Sequence, residues 1–168
     1  MALSKILNDG ISANQSLSLI RVLETANVNP IAPGGNVNID VSNNTVYFFG
    51  ANTTANVTFN LRANSSATFD SALKIGQTVS VAIAVKSGLT RHSANLYIDG
   101  GLIRGSSVLD TQNGTFLGNN MIYAGNTRPA LFSLSGFPPE LNLYTYSIFK
   151  TAANQYTVIA GNTIFGIG

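Results

Sequence analysis

Apolar and polar positions alternate along most of this chain. Val57, Phe59 and Leu61 fall on one side, and Thr58, Asn60 and Arg62 on the other, the period of a strand with one buried face. Thr78 to Val85 repeats the pattern more strongly. Val79, Val81, Ile83 and Val85 share one face, and the other carries only Thr78, Ser80, Ala82, Ala84 and Lys86. A face of such small residues lets another backbone or sheet come close. Between the two lie a polar break at Asn64-Ser65-Ser66, a mixed stretch from Phe69 to Ile75 and a turn at Gly76-Gln77. The unit is the core of a β domain and carries no catalytic motif.

The same period predicts further strands. Asn36 to Val41 alternates, Thr45 to Phe49 has heavy β propensity, and Ala94 to Ile98 stops at the turn Asp99-Gly100-Gly101. Leu102-Ile103-Arg104 is placed to pair back on that strand. Leu141 to Phe149 carries apolar groups on both faces, which predicts a central strand covered on both sides. A turn at Ala152-Ala153-Asn154 leads to a last strand from Gln155 to Ala160. Pro30-Ile31-Ala32-Pro33-Gly34-Gly35 reads as a linker. It divides the chain into an arm, residues 1–29, and a body, residues 30–168. Within the arm, Leu17, Leu19, Arg21 and Leu23 alternate as a strand, while Leu17, Ile20, Leu23 and Glu24 also fit one helical face. We read an extended arm that becomes a strand near Ser18–Thr25 and is ordered by another subunit. Residues 105–137 form an irregular insertion, broken by Gly105, Asn113-Gly114, Gly118-Asn119-Asn120, Gly125-Asn126 and Gly136, with short apolar pieces such as Met121-Ile122-Tyr123.

Many short strands with Gly/Asn turns and at most one helix predict an all-β fold. The expected form is an antiparallel β-sandwich, jelly-roll-like, with an extended N-terminal arm. An immunoglobulin-like Greek-key sandwich is the alternative. No repeat of fixed period is present.

Composition narrows the function. Of 168 residues, 45% are hydrophobic and 10% charged, against about 25% charged in ordinary domains. The surface is therefore built from Asn, Ser and Thr, as suits a chain packed beside neighbours. Nine basic residues are scattered without a stripe, so no nucleic-acid partner is expected. No apolar run approaches the roughly 20 residues of a membrane helix, and the first residues lack a secretory pattern. Without that pattern, the Asn-x-Ser/Thr sequences at Asn14, Asn43, Asn52, Asn56, Asn64 and Asn113 are not read as glycan sites. Cysteine is absent, which excludes disulfides and thiolate metal sites.

Candidate chemistry is sparse. His92 is the single histidine, too few for a three-ligand zinc centre. The acids are Asp9, Glu24, Asp40, Asp70, Asp99, Asp110 and Glu140. A glycosidase pair would require two of them, such as Asp99 and Asp110, across a cleft, but Asp99 before two glycines is accounted for as a turn residue. Gly34-Gly35 and Gly100-Gly101 lack the Lys-Ser/Thr of a phosphate loop. Tyr97, Tyr123, Tyr144, Tyr146 and Tyr156 form either core and interface aromatics or a sugar-binding surface. No catalytic, cofactor-binding or metal-binding residue is assigned, no cofactor is expected, and the chain is read as not an enzyme.

Several stretches resemble a module found in virion structural proteins of marine tailed phages, cyanophages especially. They are Ala32 to Val41, Thr53 to Ser66, Gly76 to Ala82, Tyr97-Ile98-Asp99-Gly100, Leu143 to Ala152 and Tyr156 to Ala160. Met1-Ala2-Leu3-Ser4-Lys5-Ile6 is similar to the start of many tail-fibre proteins. The chain departs from the module between Gly101 and Pro139, where a short piece with Trp is replaced by a longer segment without one. The resemblance implies a non-enzymatic virion protein, tail or tail-fibre-associated, that assembles with other copies of itself as a trimer or ring and with other virion proteins. A capsid decoration protein is the nearest alternative. A host glycan-binding module using Tyr97, Tyr123 and Tyr144 is an alternative of another class, and a glycan depolymerase is a third.

Overall fold

The structure is a computed structural model and describes residues 25–88, 92, 94–102, 104–105, 120–123 and 140–166. Their order is β1 (Ala26–Asn29), β2 (Gly35–Asp40), β3 (Val46–Thr53), β4 (Val57–Arg62), α1 (Phe69–Ala72), β5 (Thr78–Ser87), β6 (Ala94–Ile98), β7 (Gly101–Leu102), β8 (Arg104–Gly105), β9 (Asn120–Tyr123), β10 (Glu140–Ala152) and β11 (Gln155–Gly166). The fold is all-β, as the alternation predicts.

The strands form a seven-stranded sheet, β1-β3-β5-β10-β11-β9-β8, and a four-stranded sheet, β2-β4-β6-β7. The winding corrects the expectation of antiparallel pairing. β1, β3 and β5 lie parallel in the large sheet, and β2, β4 and β6 lie parallel in the small one. From β1 to β6 the chain thus crosses to the opposite sheet after each strand and returns beside its own previous pass, as a short coil. Among the described residues, only β5–β10, β10–β11 and β6–β7 are antiparallel. Neither a jelly roll nor an immunoglobulin-like Greek key has this order, since both are antiparallel. Parallel strands need a long return path, usually a helix. Here the return path is a strand of the other sheet, which leaves the same alternating pattern that a hairpin would leave.

The inner faces of the two sheets share one core. Phe59 of β4 reaches across to Phe49 of β3 and Tyr144 of β10, with ring centroids 6.1 and 6.5 Å apart. Ile39, Leu61, Leu96 and Ile98 from the small sheet meet Tyr47, Val81, Ile83, Ile148 and Val158 from the large one. Val81, Ile83 and Val85 are buried as predicted, with Val79 packed at the margin. The mixed stretch Phe69–Ile75 contains the one described helix, the single turn α1.

The expected arm and insertion are described only in part. Ala26–Asn29, the end of the arm, is a strand of the large sheet beside β3, so it belongs to the body. The strand expected near Ser18–Thr25 and its ordering by another subunit lie outside the described residues. The insertion contributes Gly105 to β8, and β9 runs parallel to β11. The rest of 105–137 lies outside the described residues.

Candidate functional site

Among the described residues, the densest group of polar side chains joins α1 to the β10–β11 hairpin. Thr68 caps α1 locally, its hydroxyl accepting from the Ser71 amide at 3.1 Å. A second cap comes from the β6–β7 turn. Asp99, held at φ +49°, accepts from the amides of Phe69 (2.6 Å) and Asp70 (2.9 Å) through its two carboxylate oxygens. The turn that ends β6 therefore also fixes where the helix starts. Asp99→Ala is expected to cost about 1–2 kcal/mol, the range for a lost charged cap. Urea denaturation measures it, and Asp99→Asn is expected to recover part of the loss.

Asp70, placed by that cap, accepts from three groups. Lys150 Nζ lies 2.8 Å from its Oδ1, the Asn154 amide 2.7 Å away and the Tyr156 hydroxyl 3.1 Å away. Lys150 is almost wholly buried and also donates to the carbonyls of Asp70 and Leu73. Its three N–H donors are thus all used. The backbone repeats the link, with Gly76 N donating to Lys150 O and Lys150 N to Gln77 O. Phe69 meets the Tyr156 ring edge-on at 5.5 Å.

The charges follow from this geometry. The Lys150 ammonium, then the Asn154 amide, hold the Asp70 carboxyl below the usual carboxylate range. Burial, then the bond to Asp70, push the Tyr156 phenol well above its ordinary value. A carboxyl whose folded value is depressed stabilises the fold above the unfolded value, about 3.9, and loses that contribution as pH falls through the folded one. Stability is therefore expected to drop below about pH 4. Asp70→Asn flattens this acid limb, measured by denaturation at several pH values.

This arrangement staples a helix to a hairpin and does not suit catalysis. Lys150 is buried with every donor engaged. Asp70 is neutralised by an ion pair, and Asp99 is spent on amides. An open depression of about 340 Å³ beside α1 is lined by Val41, Ser42, Phe69, Ala72, Leu73, Gln77, Thr78 and Val79, without an acid, a base or a histidine. No group of three or more His, Asp or Glu gathers among the described residues. Among them, no helix is long and apolar enough to cross a membrane. Asp110, and with it the expected Asp99–Asp110 pair, lies outside the described residues. His92 is half-buried between β5 and β6.

The tyrosines divide. Tyr144, Tyr146 and Tyr156 are buried, and the first two stack at 6.4 Å. Tyr144 therefore leaves the sugar-binding set. Tyr97 sits half-buried on the small sheet, and the Tyr123 side chain lies outside the described residues. Asn142 carried no signal in the sequence beyond its place in a strand. It is fully buried on the inner face of β10, and neither its amide nitrogen nor its oxygen is hydrogen-bonded among the described residues. A buried unpaired amide costs about 1–3 kcal/mol. Asn142→Leu, close in volume, is therefore expected to raise the thermal midpoint, read by calorimetry.

The two outer faces contrast. On the small sheet the partners across β2 and β4 are polar: Asn38 bonds Asn60 at 2.9 Å and Asp40 pairs with Arg62. On the large sheet, rows run across five strands, such as Val28–Phe48–Ala84–Leu143–Thr163 and Ala26–Val46–Ala82–Thr145–Gly161. Phe149, Ile159 and Phe165 on this face are 38%, 50% and 48% exposed. The sole charged side chain at the described outward positions of these five strands is Lys86. β10 is central, as predicted, but Thr145 and Phe149 stand exposed, so its outer side is not fully covered within the described residues. Compared with known proteins, the chain matches no family model, no curated protein and no solved structure.

Proposed function

We propose that this protein is a non-enzymatic structural component that works by assembly. Its setting, on the resemblance described above, is a phage virion, as a tail or tail-fibre-associated part. The observation that carries the assembly reading is the outer face of the seven-stranded sheet. At its described outward positions it carries one charge, Lys86, and sets Val28, Phe48, Leu143, Phe149, Ile159 and Phe165 among Ser and Thr, while the same chain places amide and ion pairs on the outer face of its other sheet. Exposed apolar patches mark interaction sites in soluble proteins, and Phe149, Ile159 and Phe165 stand exposed on this one face. The residues ahead of Thr25 are the proposed attachment to the particle, and copies of the chain are its first partners.

The non-enzymatic reading draws support from the Asp70–Lys150–Asp99 group, whose bonds are all internal to the fold. The burial of Tyr144 weighs against the glycan-binding alternative. The test is quantitative mass spectrometry of purified particles, with labelling of the chain for electron microscopy. A low copy number at the tail is expected. A high copy number over the capsid selects the decoration protein instead, and absence from the particle overturns the virion setting.

A further inference from the structure

We infer that the outer face of the seven-stranded sheet is a self-association surface, which takes a second copy of this chain face to face about a two-fold axis. The inference deepens the assembly reading and rests on it.

Three features favour a second copy. The first is extent. Five strands at ~4.8 Å spacing, and the length of β5 from Thr78 to Lys86 at ~3.3 Å per residue, give a face of roughly 600 Å² in projection. A standard pairing takes roughly 600–1,000 Å² per partner, so the face reaches the lower end of what a dimer needs.

The second is shape. At its middle the face carries Ala82 of β5, then Thr145 of β10, then Gly161 of β11. A Cβ added at Gly161 would lie 2.8 Å from Thr145 Oγ1, so the threonine already lies over the glycine. The centre is therefore low and even, with Phe48, Leu143 and Ile159 around it, and a second sheet can approach to about 10 Å.

The third is charge. A face that meets its own copy doubles every charge it carries. At its described outward positions this one carries only Lys86, at one end of β5. An axis crossing the strands along the Ala82–Thr145 row sends the two Lys86 side chains to opposite margins. It also sets each Thr145 against its own copy. The opposite outer face pairs Asp40 with Arg62 and Asn38 with Asn60 within one chain.

The test is sedimentation equilibrium of the full chain with two variants. The 17.6 kDa chain is expected to sediment at twice its mass. Ile159→Glu, at a half-exposed site, is expected to weaken association at least tenfold while the circular dichroism spectrum is unchanged. The chain has no cysteine, so Thr145→Cys gives a clean site for a short bismaleimide. Dimeric cross-linking is expected there and not at Thr58→Cys on the other sheet. A monomer at every concentration overturns the pairing, whether another macromolecule or the chain's own remaining segments cover the face. So does a trimer, or a dimer that Ile159→Glu leaves intact. A monomer still found in particles would sink the pairing and leave the assembly reading standing.

Discussion

Phe59→Ala is expected to destabilise the protein by about 3–5 kcal/mol, the largest effect of any single substitution considered. Phe59 is fully buried in β4, at the level of Val37 and Leu96 in its own sheet. Its ring also spans to Phe49 and Tyr144 in the other sheet. Truncation loses the transfer of the ring from water and leaves a cavity between two sheets whose backbones are held by ladders and cannot collapse into it. Thr58→Ala, one residue away on the outer face, is expected to change stability by about 0.5 kcal/mol or less. Urea denaturation of the two variants checks both values. Equal effects would mean that the sheets do not meet at Phe59.

The second large effect is at Lys150. Lys150→Met keeps the aliphatic stem but removes the ammonium that holds the Asp70 carboxylate and the carbonyls of Asp70 and Leu73. Breaking a buried pair from one side costs about 3–5 kcal/mol. Asp70 retains some access to water, with 23% of its side chain exposed, which lowers the expectation to about 2–4 kcal/mol. The effect is local to the staple, so exchange of the Phe69–Leu73 amides should accelerate more than that of β5. Adding Asp70→Asn to Lys150→Met should recover part of the loss by removing the stranded charge. The rest persists, because the two carbonyls remain without a donor. Full recovery would show that the carbonyl bonds contribute nothing.

Strand positions were legible because alternation reports which side of a backbone is wet. Ala94–Ile98 falls where the pattern places it, and Asp99-Gly100 turns as its residue types dictate, with positive φ at both. Strand partners were not legible. Val57–Leu61 alternates in the same way whether its neighbour is parallel or antiparallel, and each crossover here is another alternating strand. The coil also hides its repeat. Its second pass is longer than its first, because α1 and its flanking loops are inserted between β4 and β5. The staple was equally hidden. Asp70, Asp99 and Lys150 are far apart in sequence, and nothing in their spacing signals that a turn carboxylate caps a helix whose own aspartate holds a lysine from a hairpin. The apolar second face of Leu141–Phe149 is visible in the pattern and predicts a central strand covered on both sides. The contrast between the two outer faces supports the proposed pairing with a second copy through that side.

Oxidative footprinting tests that surface most directly, because it reports side chains one at a time. The chain is labelled when dilute and again when concentrated or assembled in particles. Phe149 and Phe165 are expected to lose reactivity on assembly, while Tyr97, on the small sheet, keeps its own. Phe149 and Phe165 reacting equally in all states, with protection at Tyr97 instead, would contradict the account.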